Sequence, residues 1–258
     1  MTRALVFDSG VGGLSVVAEI RRRLPRLALD YAADDAFRPY GEKTEAQLRD
    51  RLPGLLWTLA ETTRPDLVVV ACNTASTVAL RDIRAALDVP VVGVVPAVKP
   101  ASARTRSGTL AVLGTPSTVR QAYVDELIRD FAPEHEVVRQ GSVALVRMAE
   151  AKLEGDGVDE AALAREIAPI FADADVDTVV LACTHFPLLR EELERAAPRP
   201  VAWVDSGEAI ARRVESLLGE VVAGDRPDTA LLIGPPTSAS RAAAFARYGF
   251  SPVVGLEP

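Results

Sequence analysis

The chain of 258 residues contains two cysteines and two histidines. A structural zinc site needs about four ligands. Two thiols and two imidazoles therefore do not predict a metal centre. No apolar run approaches the roughly 18 residues of a membrane helix, and the N-terminal segment lacks the features of a signal peptide. We therefore expect a cytoplasmic protein without membrane contact. Its thiols stay reduced there, and no disulfide is expected.

The chain also has no excess of basic residues. The formal net charge is −7 and the isoelectric point is near 5.1, which argues against nucleic acid or a membrane surface as the main partner. No Walker loop is present, and Gly10, Gly12 and Gly13 do not have the spacing of a dinucleotide loop. No lysine lies in a setting typical of a pyridoxal phosphate Schiff base. We therefore expect chemistry by side chains alone, with no cofactor.

The two cysteines end two similar phrases, residues 66–72 and 177–183, which read DLVVVAC and DTVVLAC. Each phrase predicts a buried strand that carries a thiol at its carboxyl end. The two thiols are 111 residues apart in the sequence. Two similar lobes that place them on opposite sides of one cleft would supply two weak acid-bases, one for each side of a carbon atom. A single buried cysteine at a strand end is more often only a small apolar residue, but this arrangement occurs twice and uses every cysteine.

Apolar β-branched runs alternate with amphipathic segments along the whole chain, which indicates an α/β fold with mostly parallel sheets covered by helices. The predicted strands are 4–7, 29–33, 67–71, 91–94, 109–113, 136–139, 178–182, 202–204 and 231–233. The predicted helices are 13–23, 44–62, 77–87, 117–131, 160–171, 188–196 and 208–218. Sites in such folds lie beyond the carboxyl ends of the strands, where both cysteines are predicted.

The repeat extends beyond the cysteines, because Phe7-Asp8-Ser9-Gly10 is echoed by Val204-Asp205-Ser206-Gly207. The proline-rich stretch 89–100 is the best candidate for a crossing between lobes, and 202–206 for the return. We therefore expect a first lobe of residues 1–95 plus 207–258 and an inserted second lobe of residues 96–206.

Several polar residues next to the predicted strand ends are candidates for chemistry. Asn73, Thr74, Ser76 and Thr184 are expected to cap helices after the cysteines, so that each thiol meets a positive helix end. His185 follows Cys183 closely and is a candidate proton carrier or a modulator of that thiol. Asp8 is either a helix cap or a group that binds a substrate ammonium or orients a thiol.

These residues belong to motifs that resemble those of the glutamate racemases, within the cofactor-independent aspartate/glutamate racemase superfamily. The matching segments run in order across most of the chain: 7–14 (FDSGVGGL), 39–41 (PYG), 71–76 (ACNTAS), 113–115 (LGT) with Thr118, 183–189 (CTHFPLL) and 204–206 (VDS). The resemblance implies two α/β lobes related by pseudo-twofold symmetry, with the active site between them, and a homodimer.

The resemblance also implies a mechanism with two bases and glutamate as substrate. One thiolate removes the α-proton, and the opposite thiol protonates the planar carbanion on its other face. Cys72 with Asp8 would act on D-glutamate, and Cys183 with His185 on L-glutamate, which supplies D-glutamate for peptidoglycan synthesis. The implied substrate-binding residues are Asp8, Ser9, Tyr40, Gly41, Asn73, Thr74, Thr115, Thr118, Thr184 and His185.

The second lobe departs from the family pattern around Glu150. Many members carry a Cys-Pro pair and a Pro-Leu-[Ile/Val]-Glu phrase there, whereas residues 141–150 read GSVALVRMAE. Glu150 is expected to keep the acidic catalytic role. Two alternatives remain open: a racemase of the same superfamily that acts on aspartate or a related compound, and an amino-acid-binding relative without turnover.

Overall fold

The computed structural model describes residues 1–235 and 237–257. These residues form an α/β protein that divides into two compact units, one of Met1–Val94 with Gly207–Pro258 and one of Val95–Ser206. Each unit is built on its own parallel sheet with helices around it, so the predicted α/β class is confirmed. Over the same residues, no helix has the length and apolarity to cross a bilayer.

The first unit holds a parallel sheet of six strands in the order β10-β9-β2-β1-β3-β4. The strands are β1 Arg3–Asp8, β2 Ala28–Ala33, β3 Leu67–Val70, β4 Val91–Gly93, β9 Thr229–Ile233 and β10 Val253–Leu256. The helices are α1 Leu14–Arg23, α2 Glu45–Thr63, α3 Asn73–Ala86, α10 Gly207–Leu218 and α11 Ala239–Arg247, and a 3-10 turn spans Tyr40–Glu42. Every residue of β1, β2 and β3 is buried, as expected for strands covered on both faces.

The second unit holds a parallel sheet of four strands in the order β6-β5-β7-β8. The strands are β5 Thr109–Gly114, β6 Glu136–Gly141, β7 Val176–Ala182 and β8 Ala202–Val204. The helices are α4 Val98–Ser102, α5 Pro116–Val119, α6 Ala122–Phe131, α7 Ala144–Glu154, α8 Glu160–Ile167 and α9 Arg190–Ala196, with 3-10 turns at Ala168–Ala172 and Phe186–Leu189.

Several predicted elements differ from the structure. Helix α3 begins at Asn73, four residues before the predicted start. The predicted helix 117–131 is interrupted, because Thr115 caps the short α5 and the extended backbone of Gln121 starts α6 as a separate helix. The sequence analysis missed α4, α7, α11 and β10. Strand β10 is half-exposed at the edge of the sheet, so it lacks the continuous apolar pattern of a central strand.

A buried charge network ties the amino-terminal ends of the first sheet together. The Arg3 side chain, 2% exposed, donates to Asp30 Oδ1 (2.9 Å) and to the Arg226 carbonyl (2.8 Å). Arg226 donates in turn to Asp30 Oδ2 (2.6 Å). Burial raises the pKa of Asp30, and the charges of Arg3 and Arg226 partly offset that rise. The network lies toward the amino-terminal ends of the strands, whereas Cys72 follows the carboxyl end of β3. This position indicates a structural role for the network.

Replacing Arg3 with methionine is expected to lower the free energy of unfolding by about 3–5 kcal/mol at pH 7, because it leaves the Asp30 carboxylate buried with one cation fewer. The pKa of Asp30 then rises further, so the loss is expected to shrink at pH 5, where the carboxyl takes up a proton. Urea denaturation at both pH values measures this. Arg22→Met is the control, because Arg22 pairs with Glu19 on the surface. Equal effects of the two substitutions would contradict the prediction.

Candidate active site

Each cysteine follows a strand in the interior of its sheet. Cys72 lies two residues beyond the end of β3, which is flanked by β1 and β4, and Cys183 directly follows β7, which is flanked by β5 and β8. Neither cysteine forms a disulfide, and the two are 5% and 6% exposed. The predicted placement of both thiols at the carboxyl ends of parallel strands is therefore found in the structure, which is where sites in α/β folds form.

The Cys72 thiol begins a chain of hydrogen bonds that ends on a carboxylate. Its sulfur donates to Ser9 Oγ (3.8 Å), and Ser9 donates to Asp8 Oδ1 (3.1 Å), which also accepts from the Gly10 backbone N–H (3.0 Å). The parallel register of β1 and β3 pairs Phe7 with Val70 and so brings the segment after β1 beside Cys72. Asp8 is fully buried. A proton can pass from sulfur through a hydroxyl to an acceptor along this chain.

The first turn of α3 presents polar groups beside Cys72. Asn73 and Thr74 are both 3% exposed, and Asn73 Nδ2 is a buried donor without a hydrogen-bond partner among residues 1–235 and 237–257. Such a group is costly unless a ligand or water satisfies it. The predicted capping is wrong: no side chain caps α3, and Ser76 instead donates to the Val70 carbonyl and accepts from the Val94 N–H.

Tyr40, 1% exposed, lies in the same apolar cluster as Cys72. Its hydroxyl donates to Asp34 Oδ2 (2.6 Å), and Arg51 on α2 holds both oxygens of that carboxylate at 2.7 Å. Burial raises the pKa of Tyr40 well above its ordinary value, and the negative charges of Asp34 and Cys72 add to that rise. Gly41 follows in the 3-10 turn and is half-buried. The predicted Tyr40 therefore lies near the thiol, together with two charged residues that the sequence analysis missed.

The Cys183 thiol faces a histidine that is held by a glutamate. Cys183 Sγ lies 3.8 Å from His185 Nδ1, and His185 Nε2 lies 2.8 Å from Glu150 Oε1 on α7. Burial by itself lowers the pKa of His185, but hydrogen bonds to Cys183 and Glu150 and the negative charges of both outweigh it, so the pKa rises well above its usual value. When His185 is protonated, Nε2–H faces Glu150 and Nδ1–H faces the sulfur.

The other predicted site residues of the second unit are Thr115, Thr118 and Thr184. They follow the carboxyl ends of β5 and β7, as Cys183 does. The register of β5 and β7 pairs Gly114 with Ala182, so Thr115 and Cys183 are the residues that follow neighbouring strands. Thr115 caps α5 by accepting from the Thr118 N–H, and the two hydroxyls are 3.0 Å apart. Thr184, between Cys183 and His185 in the chain, is buried.

The echo of the first motif near residue 205 has different contacts. Asp205 accepts from Arg190 (2.9 Å), and the Ser206 hydroxyl donates to the Val95 carbonyl (2.5 Å). Both contacts lie at the ends of the second unit and neither involves a cysteine. Asp8 and Ser9 are linked to a thiol, whereas Asp205 and Ser206 bond to Arg190 and to the Val95 carbonyl.

Comparison with known proteins accounts for this arrangement. A sequence profile described as Asp/Glu/Hydantoin racemase matches residues 12–214, which is more than half of the chain. The chain belongs to this racemase family. It is 52% identical to a glutamate racemase of Sphingopyxis alaskensis over 217 residues, covering 83% of this chain and 81% of that protein. It is 50% identical to a glutamate racemase of Vibrio cholerae, covering 84% and 81%.

Solved structures of racemases resemble the chain over nearly its full length. The crystal structure of Escherichia coli glutamate racemase in complex with L-glutamate and the activator UDP-MurNAc-ala has a TM-score of 0.94 and 45% identity, covering 99% of this chain and 98% of that one. A glutamate racemase isoform from Bacillus anthracis has a TM-score of 0.83 and 26% identity, covering 99% and 97%.

In this member of the racemase family, Lys152 is a further residue that the sequence analysis missed. It follows Glu150 on α7 and donates to the Leu188 carbonyl (2.8 Å) and to Glu192 Oε2 (2.9 Å). Helix α7 thus contacts the segment after β7 twice, through the Glu150–His185 pair and through Lys152. The second contact fixes the turn that follows His185. In the sequence, the one signal for Lys152 is its position two residues after Glu150.

Each thiol of this racemase contacts side chains that can exchange a proton with it. In the described ranges, no group of three or more His, Cys, Asp and Glu residues is arranged to hold a metal ion. Each thiol is instead paired with its own proton acceptor: Cys72 through Ser9 with Asp8, and Cys183 with His185 and Glu150. Both pairs can move a proton to or from sulfur, which is the step that racemisation repeats on two faces of one carbon.

Proposed function

We propose that this protein is a glutamate racemase that interconverts L- and D-glutamate without a cofactor. The observation that carries the proposal is the pairing of each thiol with its own proton-accepting group at the carboxyl end of a parallel strand. The 45–52% identity to glutamate racemases of three bacteria supports glutamate as the substrate. No feature of the described residues favours aspartate or a hydantoin over glutamate.

The reaction moves one proton off the α-carbon and another on. On the D side the Cys72 thiolate forms an S–H bond as the Cα–H bond breaks, and the electron pair stays on the planar carbanion. The Cys183 thiol then gives its proton to the opposite face and becomes a thiolate, and the reaction from L-glutamate runs in reverse. This route requires the two sulfurs to act on opposite faces of the same α-carbon.

The neighbours of each sulfur generate the reactive form. Cys72 loses its proton through Ser9 toward Asp8, and Cys183 loses its proton to His185, whose imidazolium is stabilised by Glu150. A thiol with neutral histidine and a thiolate with imidazolium hold the same number of protons, so the second pair can shift between them without solvent. Positioned acid-base groups of this kind contribute roughly 10²- to 10⁴-fold to a rate.

Binding of glutamate is assigned to the polar groups around the two sulfurs. On the Cys72 side these are Asp8, Ser9, Tyr40, Gly41, Asn73 and Thr74, and on the Cys183 side Thr115, Thr118, Thr184 and His185. The unpartnered Asn73 amide donor suits a substrate carboxylate. Hydrogen-bond donors that face developing negative charge stabilise the carbanion, more so when water is excluded.

The wider role follows from the product. We assign the enzyme to the supply of D-glutamate for peptidoglycan synthesis, in the cytoplasm, as a homodimer. Light scattering of the purified protein measures the dimer directly, and a monomer that retains full activity would refute that part.

A circular dichroism assay tests the function. Purified protein in buffer with a chelator and no added cofactor is expected to bring the ellipticity of L-glutamate and of D-glutamate to the same zero value. Activity on L-aspartate but not on glutamate would instead indicate a related racemase. Calorimetric binding of glutamate without exchange of its α-hydrogen would indicate a binding protein that has lost turnover.

A further inference from the structure

Tyr31 lies within β2, and its side chain is fully buried. Its hydroxyl donates to the Gly10 carbonyl at 2.8 Å, and the direction of this bond is fixed because a carbonyl oxygen can only accept. The N–H of the same Gly10 donates to Asp8 Oδ1 at 3.0 Å. Tyr31 is therefore joined, through one residue, to the carboxylate at which the hydrogen-bond chain from Cys72 ends.

Gly13, just before α1, leaves the space that the Tyr31 hydroxyl occupies. A Cβ atom at Gly13 would lie 2.7 Å from the Tyr31 oxygen. It would also lie 3.1 Å from the Cβ atoms of Ala71 and Asp8. The backbone of Gly13 has φ −60° and ψ −13°, which alanine adopts freely, so space alone excludes a side chain. The β1–α1 loop, residues 9–13, is thus packed closely against Tyr31.

Two aromatic rings from the last part of the chain hold the Tyr31 ring. The ring centroids of Phe245 and Phe250 lie 5.2 and 5.7 Å from that of Tyr31, in tilted and edge-to-face arrangements. Both phenylalanines are fully buried, and the Arg21 guanidinium lies 5.1 Å from the Phe250 centroid. Close packing of this kind restricts a buried ring to one orientation. The place of the Tyr31 hydroxyl is therefore set by residues that are remote in the sequence.

The contact most sensitive to a displaced loop is the one to sulfur. Cys72 Sγ and Ser9 Oγ are 3.8 Å apart, and a hydrogen bond weakens steeply when its geometry departs from the optimum. Ser9 precedes Gly10 in the chain, so a shift of the Gly10 peptide moves the Ser9 hydroxyl as well. A small displacement of the β1–α1 loop therefore separates Cys72 from its proton acceptors.

We infer that Tyr31 is a positioning residue of the Cys72 half-site, which consists of Cys72, Ser9 and Asp8. Its hydroxyl fixes the Gly10 peptide, and that peptide keeps Ser9 and Asp8 in place to receive the proton of Cys72. The consequence for racemisation rests on the proposed function. The hold of Tyr31 on the β1–α1 loop does not, because it follows from contacts within the first unit.

Tyr31→Phe removes the hydroxyl and keeps the ring. It is expected to lower kcat/KM for glutamate roughly 10- to 100-fold, since misplacement of a reacting group by about 1 Å can cost 10²-fold. Tyr248→Phe makes the same change at a half-buried tyrosine that follows α11, and it is expected to match the parent enzyme. Parent-like activity of Tyr31→Phe in a protein that racemises glutamate would contradict the inference.

The fate of the α-hydrogen separates positioning from a general loss of structure. Tyr31→Phe is expected to slow proton transfer at Cys72 and to leave transfer at Cys183 unchanged. In D₂O, the ratio of exchange with retention to exchange with inversion is therefore expected to rise for L-glutamate and to fall for D-glutamate. A merely structural role would lower the melting temperature and leave both ratios as in the parent, which would count against the inference.

Gly13→Ala tests the same contact from the side of the loop. The new methyl group meets the Tyr31 oxygen in the parent, whereas that oxygen is missing in Tyr31→Phe. The fold loss of kcat/KM caused by Gly13→Ala is therefore expected to be at least about threefold smaller in the Tyr31→Phe background, because residues in contact are energetically coupled. Losses that multiply without such coupling would argue against a direct contact of this kind.

Hydrogen–deuterium exchange of the ligand-free protein gives a measurement independent of activity. In Tyr31→Phe, the amides of the β1–α1 loop are expected to exchange at least about tenfold faster, with β3 and β7 unchanged, and Tyr248→Phe is expected to exchange like the parent. Unchanged exchange of the loop, or equal acceleration throughout the first unit, overturns the inference even if the protein racemises glutamate. Acceleration confined to the loop supports the inference even if glutamate proves not to be the substrate.

Discussion

Replacing Cys72 or Cys183 with serine is expected to reduce racemisation of glutamate by at least about 10³-fold in both directions, since a serine hydroxyl is a far weaker acid-base than a thiol. The two enantiomers have equal free energy, so kcat/KM must fall by the same factor from either side, even though each cysteine serves one face. Circular dichroism with L- and D-glutamate measures both directions. Full racemisation by either single variant would refute the mechanism with two thiols.

Exchange of the α-hydrogen in D₂O distinguishes the roles of the two sulfurs. Cys72→Ser keeps the Cys183–His185 pair and is expected to exchange the α-hydrogen of L-glutamate with retention of configuration. Cys183→Ser is expected to do so only with D-glutamate. The reverse pattern would keep the two-thiol scheme but exchange the assigned sides. Calorimetric binding of glutamate to each variant serves as the control for an intact site.

Replacing Glu150 with glutamine is expected to lower kcat/KM roughly 10- to 100-fold, because a hydrogen bond to a charged group contributes about 1.5–3 kcal/mol. The carboxylate helps to raise the pKa of His185, so its loss lowers that pKa. The alkaline limb of the pH–rate profile is therefore expected to move to lower pH, and the loss of activity to be larger at pH 9 than at pH 6. Glu154→Gln, one turn further along α7, is the control.

The effect of Glu150→Gln on stability is expected to have the opposite pH dependence to its effect on activity. A histidine whose pKa is raised on folding stabilises the protein below its unfolded pKa of about 6.5, and this contribution disappears as the pH rises through the folded pKa. Glu150→Gln is thus expected to destabilise the protein more at pH 6 than at pH 9. An unchanged pH–rate profile, together with equal destabilisation at both pH values, would contradict the assigned link between Glu150 and His185.

The sequence predicted the parts of the site that lie in continuous motifs. Buried runs such as β3 and β7 fix the strand ends, so the positions of Cys72, Cys183 and His185 follow from local pattern. Asp34 and Arg51 could not be found this way. The two residues are 17 positions apart in the sequence. They meet because β2 pairs with β1 in the sheet and α2 packs against that sheet. Contacts of that kind depend on tertiary packing that no local pattern encodes.

Glu150 illustrates a different limit. The family resemblance assigned its role although the surrounding phrase departs from the usual one, and no helix was predicted there. The structure places it on α7, buried and 2.8 Å from His185. The change of neighbours is tolerated because the hydrogen bond needs only one carboxylate at one helical position. The exchanged residues around it contribute to packing against the second sheet.

The order of the strands in the first sheet has a consequence for biosynthesis. Strand β2 pairs with β9, which is encoded after the whole second unit. A ribosome that adds roughly 5–20 residues per second needs about 6 to 22 s to make the intervening unit. During that time β2 presents an unpaired edge on the nascent chain. Such an edge is a point of aggregation, and chaperones are expected to recognise the emerging polypeptide during this interval.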